Sequence, residues 1–315
     1  MEKKLEVSVI SPVFNERENL KTFVDSVTKV MHSTGMSWEL IIVDDGSDDG
    51  STTVIKELTN QDNIKCLLLA KNYGQTTAIQ AGFDNAIGKY LVTLDSDLQN
   101  DPKDIPALLH KLIEEELDLV VGWRKNRKDN YFLRNLPSSI ANKLIGNITG
   151  VKLHDYGCSL KAYRADVLKE VRLYGEMHRF IPAIAAEVGA KIIEIPVKHH
   201  PRRTGKSKYG IDGTLRVILD LIWIQFSRRY MHRPIHAFGG IGLTMLSAGL
   251  LIFLWLFFEK VLFGSEIGTR PLLTLGLLLT LLGTQLLAVG LLGELLIRIY
   301  HEPSGRKQYQ IKLKK

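Results

Sequence analysis

Two close pairs of aspartates stand out among the residues able to do chemistry: Asp44-Asp45, followed by Gly46-Ser47, and Asp95-Ser96-Asp97, followed by Leu98-Gln99. Each pair closes a short run with strand character, Glu39–Val43 and Tyr90–Leu94. A third run, Val7–Ile10, leads into Pro12, with Asn15 and Glu16 just beyond. Carboxylates crowded on one rim repel each other and call for a cation or a hydrogen-bonding ligand. Asp-x-Asp with a nearby Gln offers hard oxygen donors, which suit Mg²⁺ or Mn²⁺ rather than zinc, and such ions are commonly shared with substrate phosphates. Asp48 and Asp49 read more simply as turn and helix-capping residues. There is no G-x-x-x-x-G-K-[ST], and no G-x-G-x-x-G after the first strand, so kinase, ATPase and dinucleotide readings lose support. Cys66 and Cys158 form no C-x-x-C pair, which fits a reduced setting, and the histidines show no metal-ligand spacing.

The elements that must hold these groups alternate. Helical patterns at Asn19–Met31, Thr52–Leu58, Thr76–Ala86 and Asp104–Glu116 separate strands at Val7–Ile10, Glu39–Val43, Lys65–Leu69, Tyr90–Leu94 and Leu119–Val121. Strands alternating with helices predict an α/β domain, a Rossmann-like, mostly parallel sheet with helices on both faces. Ligands of such sheets bind beyond the carboxyl ends of the strands, where the aspartates stand.

The 315 residues carry a net charge of +7, and the basic excess is concentrated. Between Lys198 and Arg233 nine Lys/Arg face two Asp. From Phe238 to Phe258 run 21 residues without a charge, and from Pro271 to Gly293 another 23. Each run exceeds the ~20 residues a helix needs to cross a bilayer core. Arg228, Arg229 and Arg233 precede the first span; Arg298, Arg306, Lys307, Lys312, Lys314 and Lys315 follow the second. Positive charge stays on the cytoplasmic side, so both termini are expected inside. The expected organisation is a cytosolic catalytic domain over 1–210, a juxtamembrane interfacial helix over 211–235, a two-helix transmembrane hairpin over 236–300 and a basic tail over 301–315. The segment from Leu133 to Ile148 places apolar residues at helical spacing and reads either as a core helix or as one lying in the membrane interface.

Val9-Ile10-Ser11-Pro12-Val13-Phe14-Asn15-Glu16, Val43-Asp44-Asp45-Gly46-Ser47 and Leu94-Asp95-Ser96-Asp97-Leu98-Gln99 together resemble the inverting, nucleotide-sugar-dependent glycosyltransferases with the A-type fold. Lys71-Asn72-Tyr73-Gly74-Gln75, Asp155-Tyr156-Gly157-Cys158 and Gly293-Glu294 with Arg298-Ile299-Tyr300 narrow the likeness to bacterial polyprenyl-phosphate glycosyltransferases, membrane hairpin included. The resemblance implies that Pro12, Glu16, Asp44 and Asp45 line the nucleoside pocket, Asp45 having a turn cap as its alternative. It implies that Asp95, Asp97 and Gln99 hold the metal and diphosphate, and that Asp155 is a catalytic base or a carboxylate serving the transition state. Lys71 and Gln75, leading into a helix, are expected near donor phosphate, Lys71 having an ordinary exposed lysine as its alternative. An acceptor lipid phosphate would be met by Arg124, Arg134 and Ser138, and by the loop carrying Arg202, Arg203, Lys206 and Lys208, which resembles the family's R-x-x-G-x-S-K signature at Arg203 to Lys208.

The expected reaction is metal-dependent transfer of a sugar, glucose from UDP-glucose first, to a polyprenyl phosphate at the cytoplasmic membrane face. A homotetramer is expected from the same resemblance. A processive polysaccharide synthase is the competing transferase, but Gln225-Phe226-Ser227-Arg228-Arg229-Tyr230 misses its Q-x-x-R-W and the spans are too few. A non-catalytic scaffold or flippase subunit would explain the hairpin without explaining Asp95, Asp97, Asp155 and Lys208.

Overall fold

The structure is a computed structural model that describes residues 5–125, 142, 145–146, 149–168, 171, 173, 175, 177–201, 234–264, 266–268 and 270–301, with side chains described through Leu296. Arg134, Ser138, Arg202, Arg203, Lys206, Lys208 and the juxtamembrane segment lie outside the described residues. The chain divides into two compact units, Met1–Ile222 and Trp223–Lys315.

In the first unit β1 (Val7–Val13), α1 (Arg17–Ser33), β2 (Trp38–Asp44), α2 (Ser51–Leu58), β3 (Ile64–Leu68), α3 (Gln75–Asn85) and β4 (Tyr90–Thr93) follow one another. A 3₁₀ turn at Pro102–Asp104 leads into α4 (Ile105–Glu114) and β5 (Leu119–Trp123). Beyond them come β6 (Lys161–Arg164), α5 (Ala165–Leu168), a 3₁₀ turn at Met177–Arg179, α6 (Ile181–Glu187) and β7 (Ile192–Pro196). The sheet order is β3-β2-β1-β4-β6-β5-β7. All pairings are parallel except those of β6, which runs antiparallel between β4 and β5.

The physical reason for the central strands is their lack of alternation. β2 is buried at all seven positions and β4 at all four, the pattern of strands covered on both faces. Helix α1 presents Leu20, Phe23, Val24, Val27 and Met31, and α4 presents Ile105, Leu108, Leu109 and Leu112, to a core shared with Val7, Val9 and Val13 of β1. Ile10 alternates to the opposite face, where α3 lies so close that a Cβ on Gly82 would sit 2.2 Å from Ile10 Cγ2. Glycine at that position is what lets α3 reach the sheet.

The second unit is a helical hairpin, α7 (Pro234–Phe263) and α8 (Pro271–His301). Both helices are long and apolar enough to cross a membrane. Their backbones meet at glycines: a Cβ on Gly283 would lie 2.6 Å from the Gly242 carbonyl oxygen, and one on Gly249 would lie 2.8 Å from that of Gly276. Large side chains such as Trp255, Leu262, Leu278 and Leu292 are left exposed on the outside.

Candidate active site

The carboxyl ends of β1, β2 and β4 lie on one rim, and antiparallel β6 begins there. At the end of β2 the Asp44 carboxylate is buried and accepts hydrogen bonds from the Ser47 N–H (3.1 Å) and the Thr52 hydroxyl. Asp45 accepts from the N–H groups of Tyr73 (2.7 Å) and Gly74 (2.9 Å), tying the β2 turn to the loop that starts α3. These two chain segments cross at Gly46, whose φ is +70° and whose Cβ would stand 2.5 Å from the Lys71 carbonyl carbon. Pro12, near the end of β1, and Glu16, on the loop that follows, are half-buried, and Glu16 accepts from Asn19 Nδ2 at 2.7 Å. Asp49 belongs to the turn before α2, whose N-cap is Gly50: it accepts from the N–H groups of Ser51 (2.9 Å) and Arg17 (3.1 Å). Burial works to raise its pKa, but these hydrogen bonds prevail and hold it below the ordinary value.

The aspartates after β4 are joined to this rim through Gln75, the first residue of α3, which donates from Nε2 to Asp95 Oδ1 at 2.8 Å. Asp97 accepts from the Gln99 N–H at 3.1 Å across a turn in which Leu98 takes the left-handed φ of +60°. Burial, then the charge of Asp97, pushes Asp95 up to about 6, against the pull of Ser159, Lys161 and Arg124. A buried carboxylate, Asp97, and a half-buried one, Asp95, under this mutual repulsion are a donor set that fits a hard divalent cation. Among the described residues no three His, Cys, Asp or Glu converge on one metal position. Asp95 and Asp97 would therefore leave most of the coordination sphere to phosphate and water, as Mg²⁺ prefers. Gln99 makes its described contacts through its backbone, and Lys71 is exposed with its ammonium 5.2 Å from the Tyr73 ring centre.

Two expected site residues turn out to be partners of each other. Arg124, just past β5, donates from Nε to Asp155 Oδ2 (2.7 Å) and from Nη2 to Asp155 Oδ1 (2.9 Å), and its own N–H reaches Oδ2 at 3.3 Å. Both side chains are nearly buried. Burial opposes the guanidinium charge, but the Asp155 hydrogen bonds and charge outweigh it and hold Arg124 above its usual range. The fork that was expected to meet an acceptor phosphate is thus engaged by a carboxylate inside this chain.

Other residues of the site were invisible in the sequence reading. Ser159 Oγ accepts from the Asp95 N–H (3.4 Å) and from Asn100 Nδ2 (2.8 Å), binding the Asp155 segment to the turn after β4. The hydroxyl of Thr76, second residue of α3, pairs with His178 Nδ1 at 2.7 Å. Lys161 is buried at the start of β6, opposite Thr93 and Val121. A charge at an inward strand position was the one available signal for Lys161; the others depend on contacts between distant segments.

One more arrangement bears on the basic loop. After β7 the chain runs antiparallel to the acidic turn: the Val197 N–H donates to the Trp123 carbonyl (2.9 Å), the Lys198 N–H to Asp104 (2.6 Å) and the His200 N–H to the Gln99 carbonyl (2.8 Å). Asn100 and His199 form a bridge. Pro201, next to Arg202, therefore stands beside the Asp95–Gln99 turn.

Comparison with known proteins agrees with this geometry. The family model for glycosyl transferase family 2 matches residues 8–172. Dodecaprenyl-phosphate galacturonate synthase of Rhizobium johnstonii is 49% identical over 98% of this chain and 92% of its own length. Undecaprenyl-phosphate 4-deoxy-4-formamido-L-arabinose transferase of Aeromonas hydrophila is 35% identical over 97% of this chain and 92% of its own. Among solved structures, glucosyl-3-phosphoglycerate synthase of Mycobacterium tuberculosis, in complex with Mn²⁺ and UDP-glucose, superposes with a TM-score of 0.54 at 18% identity, covering 71% of this chain and 79% of that one. The chain belongs to glycosyl transferase family 2 and is a glycosyltransferase of the A-type fold.

Proposed function

We propose that this protein transfers a sugar from a nucleotide sugar to the phosphate of a polyprenyl phosphate at the cytoplasmic face of a membrane, giving a polyprenyl-phosphate-linked sugar and a nucleoside diphosphate. The observation that carries the reading is the adjacency of the Asp95–Gln99 turn and the strand segment 197–201. Four residues lie between Pro201 and Lys206, so the chain can carry that lysine at most about 17 Å from Pro201. Arg202, Arg203, Lys206 and Lys208 follow Pro201 directly in the sequence, and they are the donors proposed for an acceptor phosphate.

Roles follow from the contacts. Asp44 and Asp45 shape the nucleoside end of the rim, Asp45 by holding the loop at Tyr73 and Gly74. Asp95 and Asp97 would hold Mg²⁺ or Mn²⁺, whose chemistry is to neutralise the departing nucleoside diphosphate. Gln75 fixes the Asp95 side chain. A phosphate monoester has its second pKa near ~6 and reaches the site as an anion, so the nucleophile needs little deprotonation. That suits Asp155, whose two oxygens are occupied by Arg124. It serves as a fixed negative charge near the anomeric carbon, stabilising oxocarbenium character, and not as a mobile base. The reaction is then a single displacement with inversion, driven by positioning.

The acceptor class is supported by the two relatives named for dodecaprenyl- and undecaprenyl-phosphate products. Glucose has no support among them; the 49% relative is named for galacturonate, and a galacturonate donor, with UDP kept as the expected nucleotide, is proposed in its place. The hairpin is the membrane anchor, with the catalytic part and both termini cytoplasmic. A tetramer remains proposed on family resemblance, since Gly242, Gly249, Gly276 and Gly283 are used inside the hairpin. The test is incubation of purified protein with labelled nucleotide sugars, polyprenyl phosphate and Mg²⁺ or Mn²⁺. Sugar extractable into butanol is the expected result. Absence of lipid-linked product with every donor overturns the reading.

A further inference from the structure

The buried charges of the site do not balance in the way their hydrogen bonds do. Arg124 is satisfied by both oxygens of Asp155. Lys161 is as deeply buried, at 3% exposure, yet among the described residues its ammonium makes one hydrogen bond, to the Cys158 carbonyl. An ammonium carries three N–H donors, and leaving donors of a buried charge unfilled is costly. Burial pulls the Lys161 pKa down, and it prevails over the opposing influence of Cys158, Asp155 and Asp95. Lys161 therefore has donor capacity to spare in the midst of Asp95, Asp155 and Arg124.

Its place in the sheet says which part of a donor it faces. Along the rim, β2 and β1 carry Asp44, Asp45 and Glu16; β4 carries Asp95 and Asp97; β6 and β5 come next, with Lys161 and Arg124. A nucleotide sugar laid along this order has its nucleoside over β2 and β1, its diphosphate at β4 and its sugar over β6 and β5. Lys161 offset by Asp95 and Asp155 is a second buried cation at the sugar end, with N–H donors beyond the one its Cys158 contact fills.

We propose that Lys161 is a specificity-determining residue that receives the carboxylate of an acidic donor sugar. The inference rests on the transferase reading above and names the donor class within it. The carboxylate fills the open N–H positions of Lys161, and a neutral hexose leaves them unfilled. Discrimination of this kind is large because the penalty falls on a buried charge.

The experiment compares full-length wild type with Lys161→Met in detergent, by calorimetric titration of UDP-galacturonate, UDP-galactose and UDP. Wild type is expected to favour the galacturonate, and Lys161→Met to reduce the ratio of galacturonate to galactose affinity by about tenfold or more. UDP is the reference for the shared part of the ligand. Three results overturn the inference: no preference in wild type, an unchanged preference in Lys161→Met, or equal losses on all three ligands, which would assign Lys161 to the diphosphate. Replacing a buried charge by an apolar isostere is often tolerated. Should Lys161→Met fail to fold, Lys161→Gln removes the charge while keeping a donor, and is read on the same ligands. Failure of the transferase reading is seen separately, as absence of lipid-linked product from wild type, and leaves the binding comparison intact.

Discussion

Asp97 and Asp155 are both buried carboxylates, yet their partners suit them to different work. Asp155 is gripped by a guanidinium, whereas Asp97 has Asp95 as a charged neighbour and accepts a backbone hydrogen bond from Gln99. Asp97→Ala is expected to abolish turnover while the protein stays folded and membrane-bound, and chelation by EDTA to do the same to wild type until Mg²⁺ or Mn²⁺ is returned. Near-normal product from the variant would remove the metal assignment. His178 offers a test of a different kind. Burial first, then the charges of Arg179 and Lys161, push it down to about 3. An unfolded histidine takes up its proton near 6.5, so between about pH 6.5 and 3 the unfolded chain binds one more proton than the native protein does at this residue. Stability therefore falls on acidification across that window, by up to about 1.4 kcal/mol per pH unit for the single group. His178→Gln keeps a partner for Thr76 and removes this contribution. Thermal melts from pH 7 to pH 5 should show a shallower loss in the variant, and parallel curves would contradict the assignment.

The elements that carry these residues differ in how openly the sequence displays them. Strands β1 to β5 and the helices between them are legible because their apolar runs and turn residues are local signals, and the ends fall within a few residues of the expected positions. β6 is four residues long and antiparallel, and it follows a stretch in which the β–α alternation breaks down; neither it nor β7 was foreseen. The site divides likewise. Asp44, Asp45, Asp95 and Asp97 announce themselves as pairs at strand ends, and Asp49 as a turn residue. The Arg124–Asp155 pair, the Ser159–Asn100 link and the Thr76–His178 contact join residues 31, 59 and 102 positions apart, and no periodicity encodes such distances. Gly46 lies between the two cases, since its turn is legible but the backbone crossing it is not. In Gly46→Ala the new Cβ would strike the Lys71 carbonyl carbon from a left-handed φ, so turn and loop must separate. Asp45 would then lose its grip on Tyr73 and Gly74. Donor affinity is expected to fall by about tenfold or more, the scale of a lost charge-assisted hydrogen bond. Isothermal titration with UDP checks it, and wild-type affinity would show that the crossing is dispensable.

At the scale of the whole molecule the proposed chemistry requires a fixed orientation. A nucleotide sugar is a charged cytosolic metabolite, and the basic residues that would meet the acceptor phosphate precede α7 in the chain. They share the compartment of Asp95 and Asp97, which sets the start of α7 on the cytosolic side, and a hairpin whose second helix ends there too must go out and return. The charges agree: arginines and lysines flank the outer ends of both helices, while the link between the helices holds Lys260 and Arg270 against Glu259 and Glu266. Arg270 is further neutralised by an ion pair with Glu259 at 2.5 Å, which lessens the positive charge that would oppose translocation of the link. The prediction is read by single-cysteine labelling in a background with Cys66 and Cys158 replaced. A cysteine at Gly264 or Gly268 should react with a membrane-impermeant maleimide added outside intact cells, and one at Lys312 only after the membrane is opened. Labelling of both positions from outside would place the two ends of the hairpin in different compartments.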